Sequence, residues 1–242
     1  MVTKSVTRGS LALILMSSLL FGCSMDQSEL KKERGTGLAY SEYFKGYDGL
    51  DEREDVTYYK PVQLDEADTS LPEVVRSRVH ELNPDKLPFN VDEEKAYLVT
   101  SKDKDGKLRN QVQISYIGKD EYEQPEAFLI ISITDSDKDP LASFAGTDKV
   151  DTVGNEFKKE QLTEDVPIYQ QILTTDSALI YKYYEETEKG IATVGTSANE
   201  FYTYYKGHIY HIGYWIDRDK KDENMQETML QLVREYILSP HE

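Results

Sequence analysis

Cysteine is nearly missing from this 242-residue chain: Cys23 stands alone, so no disulfide can form within it. Stability has to come from a packed core, for which a chain of this length suffices. Histidine is scarce too, four in all. His80 and His241 have no cysteine or neighbouring histidine to make a metal set, and no zinc motif is present. His208 and His211 fall on opposite faces if they lie on a strand. No Walker loop, dinucleotide fingerprint or G-x-S-x-G elbow occurs, and Thr196-Ser197 after a glycine make none. No cofactor is therefore indicated. Basic residues are also few, 28 against 45 acids, for a net charge of −17. Such a surface repels phosphates, which argues against a nucleic-acid partner.

What is present starts at the first residue. Lys4 and Arg8 precede an apolar run from Leu11 to Phe21, broken by Ser17 and Ser18, and Gly22-Cys23 close it. That is the three-part plan of a secretory signal. The run is too short for a hydrocarbon core that needs roughly 20 helical residues, so a retained transmembrane anchor is the poorer reading. Its ending, Leu20-Phe21-Gly22-Cys23, resembles the lipobox of bacterial lipoprotein signals, although Phe21 stands where that motif ordinarily has a smaller side chain. The resemblance implies cleavage between Gly22 and Cys23. It also implies a diacylglyceryl thioether and an acylated amino group on Cys23. Two or more acyl chains, at about 0.8 kcal/mol per buried CH₂, anchor stably where one is marginal. The plainer alternative is a chance thiol near an ordinary cleavage site. Loss of Lys4 and Arg8 with the signal takes the charge from −17 to −19. Anionic headgroups repel that charge, which leaves membrane attachment to the lipid. The expected place is the extracytoplasmic face of the cell membrane.

Three segments follow: a signal peptide over 1–22, an acidic tether over 23–69 and a globular domain over 70–242. The tether is rich in charge and poor in aliphatic residues, the composition of a loosely ordered spacer. Yet Tyr40, Tyr43, Phe44, Tyr47, Tyr58 and Tyr59 give part of it the means to dock on the domain or at a membrane interface.

Within the domain, SLPEVVRSRVHEL predicts a helix from Ser70, with Leu71, Val74, Val75, Val79 and Leu82 as its stripe, ended by Asn83-Pro84. Strand periodicity then takes over. AYLVTS and LRNQVQISYI flank a polar turn and read as a hairpin, and the apolar run Ala127 to Thr134 suits the centre of a sheet covered on both faces. Ser177 to Tyr184 and Ile191 to Gly195 form a second hairpin. A third turns at Lys206-Gly207 and pairs Tyr205 with His208, Tyr204 with Ile209 and Tyr202 with His211. Asn224 then opens a helix whose Met225, Met229, Leu232, Val233, Tyr236 and Ile237 share one side, with Ser239-Pro240 ending it. The predicted fold is α+β, an antiparallel sheet of hairpins with the C-terminal amphipathic helix packed on it.

Pro88-Phe89 before the first hairpin, the aromatic hairpin at Gly207 and the terminal helix together resemble uncharacterised lipoproteins of Bacillus-type bacteria. More faintly they resemble a domain of unknown function shared with extracytoplasmic parts of anti-sigma and sporulation proteins. The resemblance spans roughly residues 85 to 238 and implies no catalytic residues.

Calcium ligation fails on spacing. Ser101-Asp103-Asp105-Gly106 opens like an EF-hand loop but has Val112 at its twelfth position, and Asp135-Asp137-Asp139 is followed by Pro140 and Gly146 where glycine and glutamate are needed. Two function classes remain. One is a non-catalytic binding module at the envelope, using the face that carries Tyr202, Tyr204 and Trp215 to hold a partner protein, a glycan or an apolar ligand. The other is an envelope hydrolase working through a carboxylate pair roughly 5 to 9 Å apart. The plainer account of those rings is core packing beneath the terminal helix.

Overall fold

A computed structural model describes residues 38–39, 54–64, 71–103, 105–142, 149–150, 154–173, 178–188, 190–216 and 224–239. The expected signal segment, with Gly22 and Cys23, lies outside these residues, as do Ser70 and most of the stretch 23–69.

Alternating side chains build a nine-stranded antiparallel sheet. Its strands in chain order are β2 (Glu54–Tyr58), β3 (Glu93–Lys102), β4 (Leu108–Lys119), β5 (Pro125–Asp135), β6 (Lys149–Val150), β7 (Glu156–Gln161), β8 (Pro167–Ile172), β11 (Asn199–Tyr205) and β12 (His208–Ile216). Across the sheet they run β2-β3-β4-β5-β12-β11-β8-β7-β6. A separate three-stranded sheet comprises β1 (Leu38–Ala39), β9 (Ala178–Thr187) and β10 (Gly190–Ser197), with β1 parallel to β9. Among the described residues the α-helices are α1 (Glu73–Arg76) and α2 (Met225–Leu238), with a 3₁₀ turn at Pro84–Lys86.

The register at Lys206-Gly207 is the predicted one, Tyr205 opposite His208, Tyr204 opposite Ile209 and Tyr202 opposite His211. Both turn residues have positive φ, +48° and +80°. A two-residue hairpin turn demands this because its twist must match that of the strands, and glycine meets the demand without strain.

Helix α2 buries Met225, Met229, Leu230, Leu232, Val233, Tyr236 and Ile237. They join Val112, Ile114 and Tyr116 of β4, Leu129, Ile131 and Ile133 of β5, Phe201 of β11 and Tyr210, Ile212, Tyr214 and Ile216 of β12 in one apolar cluster. The fold is thus the expected α+β arrangement, with the terminal helix on the sheet.

The helix predicted from Ser70 is much shorter than the pattern suggests. Only Glu73–Arg76 is helical, with Pro72 at the N-cap, and Val74 is exposed instead of lying on the apolar stripe. Three valines stiffen the segment against helix. Beyond Arg78 the chain reaches the core without being helical: His80 stacks on Tyr236 at 4.0 Å, and the Leu82 amide donates to the Tyr116 hydroxyl at 3.0 Å. Residues 54–64, tether by composition, are laid on the sheet: β2 pairs with β3, Val62 bridges to Ala96 and Leu64 is buried. The polar stretch before the second hairpin contains β7 and β8, two strands its composition does not announce.

Candidate functional site

The sheet face opposite α2 carries the proposed aromatic residues. Strand β12 alternates, so Tyr210, Ile212 and Tyr214 meet the helix while Ile209, His211, Gly213 and Trp215 point away from it. Tyr202 and Tyr204 of β11 share that second side through their pairing with His211 and Ile209. The rings are therefore not beneath the terminal helix, as the packing account had it. They lie on the face of hairpin β9–β10.

Contact with that hairpin seals much of the face. Tyr181 of β9 sits over Gly213, where an added Cβ would come within 2.5 Å of the ring, and meets His211 edge-on at 4.8 Å between centroids. Only glycine on β12 admits a ring that close. Tyr202 is 2% exposed and stacks on His211 at 4.0 Å. Tyr204 is half-buried and donates its hydroxyl to the Ser136 carbonyl at 3.1 Å. Trp215 is half-buried, paired in register with Phe128 and packed against the cluster of Phe128, Ile130, Tyr181 and Ala198. Tyr202 and Trp215 belong to different small clusters, so the three rings form no continuous exposed patch.

Strand β9 meets the sheet through a backbone edge. The side-chain amide of Gln113 donates to the Tyr184 carbonyl at 2.8 Å and accepts from the Tyr184 N–H at 2.7 Å. The Tyr184 hydroxyl donates to Gln111 Oε1 at 2.8 Å. Lys95 Nζ bridges Glu93 at 3.1 Å and Glu186 at 3.3 Å. Burial opposes charge on Glu93, but hydrogen bonds from Lys119 and Lys95 outweigh it and hold the carboxyl below its ordinary range. Burial, reinforced by nearby Glu185, pushes Tyr183 up to about 12.

Glu200 is the one carboxylate buried in the core among the described residues, at 2% exposure. Its Oε2 lies 2.9 Å from His211 Nε2, while Oε1 has no hydrogen-bond partner. Sequence reasoning missed this pair. The available signal was that Glu200 falls opposite Gly213 once the register is fixed, diagonal to His211 on the same face. The pair has the form of an acid and a base, but both residues are buried and the Tyr202 and Tyr181 rings pack on His211. His208 points to the other face, where Nε2 lies 2.8 Å from the Val74 carbonyl, so the two histidines are indeed apart.

The acidic loops satisfy themselves. Asp103 accepts from the amides of Asp105 and Lys107 and from Arg109, and the Lys107 amide bond leads in holding its carboxyl below the usual range. Asp135 accepts from the Asn110 amide, Asp137 pairs with Lys107, and Asp139 caps the Leu141 amide. Among the described residues no group of three or more histidine, cysteine or carboxylate side chains could hold a metal. A recess of about 500 Å³ lies within the loop 84–91, with Asp85 as its one ionisable residue. Comparison with family models, curated proteins and solved structures gave no match.

Proposed function

We propose that this protein is a lipid-anchored, extracytoplasmic binding module of the cell envelope, held at the membrane through Cys23. The carrying observation is the succession of Lys4 and Arg8, an apolar run of spanning-incompetent length and Gly22-Cys23. Much of the face that carries Tyr202, Tyr204 and Trp215 lies under the β9–β10 hairpin, so a partner bound there would have to displace that hairpin. The alternative, an envelope hydrolase using a carboxylate pair, gains nothing from Glu200, which is buried and whose partner is His211 rather than a second carboxylate.

Replacing Cys23 by alanine tests the anchor. The variant is expected in the medium or as an uncleaved precursor, while the wild type fractionates with membranes and takes up labelled fatty acid. Membrane fractionation unchanged by the substitution, with a normally cleaved amino terminus, would overturn the reading.

A further inference from the structure

Hairpin β9–β10 lies on the sheet without sharing its main core: none of its described residues belongs to the cluster built around α2. Its seat is a shallow groove. Phe128, Ile130 and Trp215 form one wall, against Tyr181 and Tyr183. Tyr97 and Val99 form the other, against Tyr184. Gln113 is fully buried on the floor between them, its amide matched to one N–H and one C=O of a single residue. That is the two-point pairing a neighbouring strand would offer, supplied by a side chain. An open strand edge is ordinarily a template for another chain. Here the template is completed by a groove specific for an extended backbone with tyrosines on both sides.

Nothing in this recognition depends on covalent continuity between groove and strand. We propose that the groove is an exchangeable strand-binding site, occupied in cis by β9 and able to take in trans an extended segment of the pattern Tyr-x-Tyr-Tyr, as in Tyr181 to Tyr184. The proposal rests on the binding-module reading and names its partner class. Tyr181 supplies the key to the slot at Gly213, Tyr183 meets Phe128 at 6.1 Å between ring centroids, and Tyr184 gives its backbone to Gln113. Such a partner gains main-chain hydrogen bonds for affinity and ring pockets for specificity, as in other cases of strand addition. Resident β9 competes with it, so the apparent affinity falls by the fraction of molecules whose groove is open.

The test uses the full-length chain in detergent and a labelled synthetic peptide of residues 178–197, followed by fluorescence polarisation. Trp215, the one tryptophan, reports on the groove wall. Tyr181→Ala in the protein removes the resident key and leaves the slot at Gly213 open. That variant is expected to bind the peptide at least about tenfold more tightly than the wild type, because a larger fraction of its grooves is open. Adding Gly213→Ala to it fills the slot and is expected to abolish the gain. A peptide with alanine in place of its own Tyr181 should bind no better than a scrambled one. Should Tyr181→Ala fail to fold, Tyr184→Phe, which deletes only the hydroxyl that reaches Gln111, is expected to give the same order of affinities with a smaller rise. Equal binding of native and scrambled peptides by a folded, loosened variant would overturn the proposal, as would a gain that survives Gly213→Ala. The assay is blind to cellular location, so its failure leaves the Cys23 anchor standing, and loss of the anchor leaves the groove standing.

Discussion

Strand β4 sends Val112, Ile114 and Tyr116 to one face of the sheet and Gln111, Gln113 and Ser115 to the other, and all six are buried. On the first face, burial is apolar and continuous with α2. On the second, β9 meets amides and hydroxyls, and the apolar contacts break into small separate clusters. Depth of burial is equal, but the forces differ. Apolar burial is non-directional and cumulative, whereas each polar contact contributes little net stability when made and costs more when one partner is lost. The helix layer should therefore unfold with the sheet, and the hairpin layer should be able to open before it.

The largest expected effect lies on the helix face. Leu232→Ala should destabilise the whole protein by about 2 to 5 kcal/mol, as truncation of a buried leucine does. A denaturant midpoint within error of the wild type would show that α2 is not part of the core. On the other face, Gln113→Leu strips partners from the buried N–H and C=O of Tyr184, and should cost the docked hairpin about 1 to 3 kcal/mol. Its signature is faster amide exchange over 178–197 with a smaller change in the global midpoint. Equal loss in both would break the distinction between the layers.

Alkaline titration sharpens the same contrast. Tyr183 is raised from 10.0 to about 12 by burial first and then by Glu185. Its contribution to docking is fully present below pH 10 and is lost as pH rises through about 12. Trp215 emission is expected to shift over that window, and the shift should shrink in Tyr183→Phe. A shift of the same size in the variant would assign it elsewhere, for instance to Tyr210, also raised to about 12 by burial but on the helix face. The smallest effect belongs to Tyr204→Phe, which removes one half-buried hydrogen bond to Ser136 and should cost about 0.5 to 1.5 kcal/mol by denaturant unfolding. A loss well above that range would give Tyr204 a larger part in the hairpin face than its single hydrogen bond explains.

The helix face was legible because its signals are local and redundant. The stripe of α2 and the turn at Lys206-Gly207 each fix their neighbours by periodicity or register alone. The hairpin face was not. Gln170 and Gln171 of β8 and the charges of β7 give no strand signal, because a buried polar residue in a strand looks like an exposed one until its partner is known. The link between Gln113 and Tyr184 joins residues 71 apart in sequence, and no spacing rule connects them. The first helix failed for a related reason: Leu82 reaches Tyr116 across 34 residues, a tertiary contact that overrides the apolar period. Alternation puts Tyr202, Tyr204 and Trp215 on one face, but what surrounds them, Tyr181 over Gly213 beside Trp215 and Leu141, Phe157 and Tyr169 around Tyr202, is likewise long-range.

Hydrogen exchange measured amide by amide under increasing, sub-denaturing guanidinium tests the central claim that the two faces are held by different forces. Amides of β9 and β10 are predicted to exchange through an opening of lower free energy than those of β4, β5, β12 and α2, with a shallow denaturant dependence that merges with the global one only near the midpoint. A single opening energy, shared by the hairpin, the central strands and α2, would contradict it.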